Sequence, residues 1–253
     1  MIVCKSPAEI GKMRAANQLV ARILDELSLL VQPGVTTADL DAEADARVHA
    51  AGAQSAFKGY RGYPATLCAS VNDQVVHGIP NTRPLASGDI ISLDMGVKLN
   101  GYYGDSAVTV AVGSVSDEVR KLLRVTEEAL ERGIAQVRVG GRISDIGHAI
   151  QAHVEANGFS VVREFVGHGI GASLHEEPQI ANYGEANRGP RMAEGMTLAI
   201  EPMVNMGKPA VRVLSDGWTA VTRDGSLSAH FEHTVAVTKS GPDILTLRPV
   251  RVA

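Results

Sequence analysis

Apolar residues recur at helical spacing at Ile10, Met13, Val20, Leu24 and Leu27, behind Ser6, Pro7 and Glu9. That trio is a helix-start signature of capping hydroxyl, first-turn proline and capping-box acid. Pro33-Gly34 predicts where this helix ends. A second helix is predicted from near Thr37 through Leu40, Ala44 and Val48, closing at Gly52, a residue suited to a left-handed C-terminal position. The texture then changes. From Thr66 to Val112 the chain reads as short β-rich runs, "TLCASVN", "DIISLDMGVKL" and "YYGDSAVTVAV", with Asn100-Gly101 predicting a tight hairpin between the last two.

The same order recurs. Ser116 caps a predicted helix carrying Val119, Leu122, Leu123, Leu130 and Ile134, and another begins near Ser144 and stops at Gly158, again followed by strand-like runs. Val31 to Gly52 aligns without gaps on Val137 to Gly158, with identities that include Gly34/Gly140, Asp39/Asp145, Val48/Val154 and Gly52/Gly158. "IISLDMGV" likewise resembles "MTLAIEPMV", which sets Asp94 opposite Glu201, and "DSAVTV" from Asp105 matches "EHTVAV" from Glu232. The second match implies about 20 extra residues in the later hairpin connection, and "NMGKPAVRVLSDGWTAVTRDG" fills that role. The expectation is an α+β fold of two related halves, roughly 6–112 and 116–240, within a single domain spanning 1–253. Each half would supply two carboxylates from equivalent strand positions around a central sheet.

Composition narrows the function classes. The chain has 253 residues, 45% apolar and 21% charged, which excludes a disordered or low-complexity protein. No apolar run exceeds Met1 to Cys4, so nothing approaches the roughly 20 residues of a membrane span. Lys5 and Glu9 interrupt the start where a signal peptide stays apolar, so a cytoplasmic location is expected. A net charge of −4 argues against broad nucleic-acid binding. The two cysteines, Cys4 and Cys68, form neither a disulfide framework nor a thiolate zinc cluster.

The candidate chemistry lies in the strands. A two-residue turn at Asn100-Gly101 sets Asp94 across from Ala107 and Asp105 across from Gly96, so both carboxylates share one sheet face. Acids inside apolar strand runs are costly to desolvate unless protonated, paired or bound to metal. Two such pairs brought together would repel unless cations neutralise them. Carboxylates with one imidazole suit manganese, iron or cobalt and permit zinc. The candidate imidazole is His168 in "FVGHGIG", where Gly167 and Gly169 let the backbone approach a buried site. A lone strand aspartate or glycine-flanked histidine reads as an ordinary turn or loop residue; the joint pattern points to metal. His77 in "VVHGIP" and His175 in "SLHEEP" end strand-like runs beside Pro-containing turns and are further site candidates. His49, His148 and His153 read as surface or packing residues, and His230 as an accessory group sharing the face of Glu232.

Taken together, "VVHGIP", "SLDMGVKLNGYYGDSAV", "FVGHGIG", "LHEEP", "AIEPMV" and "SAHFEHT" resemble type I methionine aminopeptidases over nearly the whole chain, in the short bacterial form. The resemblance implies the pita-bread fold, with helices packed outside a central antiparallel sheet. It implies two divalent ions per chain (Co, Mn, Fe, Zn or Ni), held by Asp94, Asp105, His168, Glu201 and Glu232, with Asp105 and Glu232 bridging. A water or hydroxide between the ions would attack the scissile carbonyl, and Glu201 would relay a proton. His77 and His175 match the two histidines that contact the substrate amide and stabilise the tetrahedral intermediate. Tyr60, Tyr63, Cys68 and Trp218 match the methionine pocket. Phe57 and Leu174 depart from the pattern, standing where many bacterial relatives carry a small residue and an aromatic respectively.

The implied activity is removal of the initiator methionine from nascent proteins whose second residue is small, by a cytoplasmic monomer that meets the ribosome exit region transiently, with no membrane or specific nucleic-acid partner. Two alternatives stand beside it. A proline-specific peptidase of the same fold, aminopeptidase P or prolidase, usually carries a large additional N-terminal domain, whereas this chain starts almost directly on its first repeat. A relative without catalysis, serving as a binding module, is opposed by the intact set of candidate ligands.

Overall fold

The computed structural model describes residues 1–247; residues 248–253 of the predicted 1–253 unit lie outside the described residues. In the first half the order is α1 (Pro7–Leu30), α2 (Thr37–Ala50), β1 (Gln54–Ser55), β2 (Cys68–Val71), β3 (Gln74–Val76), β4 (Ile90–Leu99) and β5 (Tyr102–Ala111). The second half repeats the helix pair as α3 (Asp117–Ile134) and α4 (Ile143–Ala156), then β6 (Ser160–Val161), β7 (Gly167–Gly169), β8 (Glu176–Ile180), β9 (Thr197–Ile200) and β10 (Met203–Asn205). It ends with β11 (Val211–Val213), β12 (Ala220–Thr222), β13 (Ser228–His230), β14 (His233–Thr238) and β15 (Gly241–Ile244).

Local chemistry sets the helix starts. The Ser6 hydroxyl accepts from the Glu9 N–H while Glu9 accepts from the Ser6 N–H at 2.7 Å, the reciprocal capping box. Thr36 with Asp39 does the same for α2, and Ser116 caps α3. α4 begins one residue before Ser144, because Asp145 accepts from the Arg142 N–H and the Ser144 hydroxyl instead accepts from the Arg188 N–H. Among the described residues no helix is long and apolar enough to cross a membrane.

β4 and β5 pair in the predicted register, Asp94 across from Ala107 and Gly96 across from Asp105, around Asn100 and Gly101 at φ 53° and 84°. α1 lies directly on this hairpin. A Cβ on Gly104 would stand 2.7 Å from the Ala16 carbonyl carbon, so glycine sets the depth of contact.

The second hairpin departs from strict equivalence. β9 pairs β14 with Ile200 across from His233, and β10 pairs β13 with Met203 across from His230, one register that sets Glu201 directly opposite Glu232. Asp94 and Asp105 are instead staggered by two positions in their hairpin. Between the strand pairs the ladder lapses. The Phe231 N–H reaches the Pro202 carbonyl at only 3.4 Å, and proline has no N–H to return. The sequence match pairs these positions but does not foretell their stagger. The halves meet where β5 runs against the β13–β14 segment, through an antiparallel bridge between Ala107 and Glu232. Hydroxyls extend this seam: Ser106 donates to the Glu232 carbonyl at 2.6 Å, Thr109 to the His230 carbonyl at 2.8 Å, and Thr234 to the Asp105 carbonyl at 2.9 Å.

Candidate active site

The seam carries the acids. Asp94 lies on β4 and Asp105 on β5, Glu201 directly follows β9, and Glu232 directly precedes β14. Asp105 and Glu232 are 4% and 3% exposed, and among the described residues no lysine or arginine forms an ion pair with the group. Asp94 Oδ1, Asp105 Oδ1 and Glu232 Oε1 are buried without a hydrogen-bond partner. Burial pushes the Asp94 carboxyl up to about 7. Burial, then the charges of Asp94 and Glu201, drive Asp105 well above the carboxylate range, and Glu201 and Glu232 are raised for the same reasons.

His168 comes to this cluster on β7. Its Nε2 is 3.6 Å from Glu201 Oε1 and 4.0 Å from Asp105 Oδ2, while Nδ1 lies 2.9 Å from the Gly169 carbonyl oxygen. A carbonyl can only accept, so Nδ1 carries the proton and Nε2 presents its lone pair to the acids. Burial and nearby His175 lower His168 to about 4, which keeps the ring neutral. The predicted glycines are sterically required: a Cβ on Gly167 would meet the Ala199 carbonyl oxygen at 2.3 Å, and one on Gly169 the Glu177 oxygen at 2.2 Å.

Ligand atoms of Asp105, His168 and Glu232 lie within 4.8 Å of one another, a spacing that one ion can bridge. Orphaned carboxylate oxygens and a neutral imidazole with its lone pair inward, with no lysine or arginine paired to the acids among the described residues, fit a divalent metal with oxygen and nitrogen ligands.

The acids line a cavity of about 200 Å³. Its lining includes Asp94, Asp105, His168, Glu201 and Glu232 together with Phe57, Tyr60, Tyr63, Cys68, His77, Leu174, His175 and Trp218, so every site residue named from the sequence reaches it. Tyr63 packs edge-on against Trp218 at 5.1 Å between ring centres, and Cys68 is 4% exposed beneath them. His77 adopts φ 60°, a left-handed conformation unusual for a residue with a side chain, and its ring meets Phe165 edge-on at 5.4 Å. Burial lowers it to about 4. His175 stands at the mouth with Nδ1 2.8 Å from the Tyr60 hydroxyl and its ring 4.3 Å from that of His168.

Sequence reasoning missed Arg61, which also lines the cavity and lies over the Tyr60 ring at 5.4 Å. Its placement between Gly59 and Gly62, in a turn where Arg61 itself takes φ 49°, was the available signal. His230 is 1% exposed and reaches Glu201, with Nε2 3.8 Å from Oε2; since Glu201 lies directly across from Glu232, this agrees with the face that the two-residue spacing predicted His230 to share with Glu232. His153 bonds Glu128 and His148 approaches the Gly184 carbonyl, both away from the site as expected.

Residues 11–239 match metallopeptidase family M24. The chain belongs to this family. Methionine aminopeptidase 1 of Bacillus subtilis (strain 168) is 54% identical over 246 residues, covering 97% of this chain and 99% of the relative. The crystal structure of methionine aminopeptidase from Rickettsia prowazekii matches with a TM-score of 0.97 at 44% identity, over 98% of this chain and 100% of that one. This M24 chain has the pita-bread fold. The fold alone extends further: an Xaa-Pro dipeptidase from Bacillus anthracis matches with a TM-score of 0.79 at 22% identity, and this chain covers 62% of its length.

Proposed function

We propose that this chain is a methionyl aminopeptidase that removes the initiator methionine from nascent proteins whose second residue is small. One observation carries the reading: the buried acid cluster and the sulfur- and aromatic-lined pocket are parts of one cavity. Its relatives' names and full-length identity point the same way.

Asp94, Asp105, His168, Glu201 and Glu232 would hold two divalent ions, Asp105 and Glu232 being shared. When bound, such ions supply Lewis-acid polarisation of a carbonyl and a water acidic enough to ionise near neutral pH. The protein's own groups do the rest. Tyr63, Cys68 and Trp218, with Phe57 and Leu174, enclose a flexible thioether side chain, for which sulfur–aromatic contact is favourable. His77 and His175, each lowered by burial, are neutral at physiological pH and can donate one N–H to the substrate amide as charge develops. The Tyr60 hydroxyl fixes the His175 ring. Glu201, raised by burial and by Asp94, is suited to hold and pass on a proton. The reading places the enzyme in the cytoplasm as a monomer that meets chains at the ribosome.

The test is mass spectrometry of Met-Ala and X-Pro peptides incubated with manganese-loaded enzyme. Release of methionine from Met-Ala peptides supports the proposal. Intact Met-Ala peptides with cleaved X-Pro peptides would favour a proline-specific peptidase and reject it.

A further inference from the structure

The loop from Ile170 to His175 joins β7 to β8 and brings Leu174 and His175 into the cavity. Its far side is fastened to the N-terminal segment by a buried ion pair. Lys5 Nζ donates to Glu176 Oε2 at 2.5 Å, with the side chains 4% and 14% exposed. The other Glu176 oxygen accepts from the Ser173 N–H at 3.1 Å, and Lys5 Nζ also donates to the Val3 carbonyl at 3.0 Å. The lysine is itself anchored, because its backbone N–H donates to the Gly195 carbonyl at 2.7 Å.

The segments approach closely. A Cβ on Gly171 would stand 2.3 Å from Lys5 Cε, and one on Gly195 would stand 2.5 Å from the Lys5 carbonyl oxygen. Strand β5 grips the same loop, where the Tyr103 N–H donates to the Gly171 carbonyl at 2.8 Å. A buried ion pair is a weak way to gain stability, since apolar side chains of similar volume do as well or better. What it adds is direction. Here the carboxylate it fixes is one residue from the imidazole that Tyr60 holds on the other side.

We infer that Lys5 and Glu176 are positioning residues that set the His175 imidazole against the substrate amide while touching neither substrate nor metal. This rests on the role given to His175 above. Lys5→Met keeps the aliphatic stem, and Glu176→Gln keeps an acceptor for Ser173. Both are expected to lower kcat on a Met-Ala-Ser peptide at least tenfold, with KM within threefold of the parent and manganese content unchanged. Lys5→Arg, which retains the charge, should return kcat to within threefold of the parent. A kcat within twofold of the parent in either neutral variant, or a loss that merely follows lost metal, overturns the inference. If Lys5→Met fails to fold, Glu176→Gln decides.

A second measurement separates this idea from the aminopeptidase reading. In zinc-loaded protein, the His175 ring resonances in NMR spectra should move or broaden in both neutral variants and return in Lys5→Arg. Unchanged resonances overturn the positioning role whether or not the parent cleaves the peptide, whereas a parent that leaves Met-Ala-Ser intact overturns the aminopeptidase reading alone.

Discussion

Stripping the metal should make this protein less stable as pH rises, because acids whose pKa is raised on folding contribute stability below their unfolded value and lose it as pH climbs through the folded one. Asp94 sits at about 7 in the fold, and Asp105, Glu201 and Glu232 are raised well above their usual range by burial and mutual repulsion. The histidines work in the opposite direction at lower pH. His77 and His168, both near 4, and His230, near 3, add stability as pH rises toward the unfolded histidine value of about 6.5, and nothing more above it. Cys68, pushed up by burial, joins only as the unfolded thiol ionises above about 8.5. The window from pH 7 to 8.5 therefore isolates the acids. Each carboxyl that keeps its proton there costs about 1.4 kcal/mol per pH unit, or roughly 2 kcal/mol over the window. Urea unfolding with EDTA should show this fall, and saturating manganese should flatten it, because ligating carboxylates are ionised in the fold as in the unfolded chain. Asp105→Asn should make the EDTA slope shallower. Metal-free stability that is level or rising across this window, or an equal fall with manganese, would refute the reasoning.

His168→Ala removes the only imidazole in the three-residue ligand cluster, and Asp94→Asn removes a carboxylate; each should weaken manganese binding by more than the roughly 10–100-fold seen when a mere supporting group is lost, as measured by calorimetry. His175→Ala should leave metal content intact while lowering kcat about 100-fold, the usual scale for one donor to a developing oxyanion; loss of metal in that variant would contradict the assignment. Thr234→Val deletes a buried hydroxyl bond across the seam to the Asp105 carbonyl and should cost about 1 kcal/mol by urea unfolding, with a measurable drop in metal affinity. An unchanged affinity would show that the seam does not set the ligand geometry.

The hairpin around Asn100-Gly101 was legible in the sequence down to its register, because a two-residue turn leaves the pairing of its strands no freedom. The same is true of helix starts with capping boxes. The pocket residues Phe57, Tyr60 and Leu174 were named through resemblance rather than local chemistry, and the cavity brings them together. Less legible was the second hairpin. Its long connection holds no two-residue turn to fix its pairing, so the register that sets Glu201 directly across from Glu232, where Asp94 and Asp105 are staggered by two, could not be foretold. The Lys5–Glu176 pair arises from contact between segments far apart in the chain, and no local pattern reports it.

The proposed chemistry requires acids from both halves to share divalent ions with His168. A crystal of manganese-soaked protein, measured at the manganese absorption edge, tests this directly. Two anomalous peaks among the carboxylates of Asp94, Asp105, Glu201 and Glu232, one of them also touching His168 Nε2, are the predicted result. An empty cluster at saturating manganese, or ions held elsewhere on the chain, would contradict it.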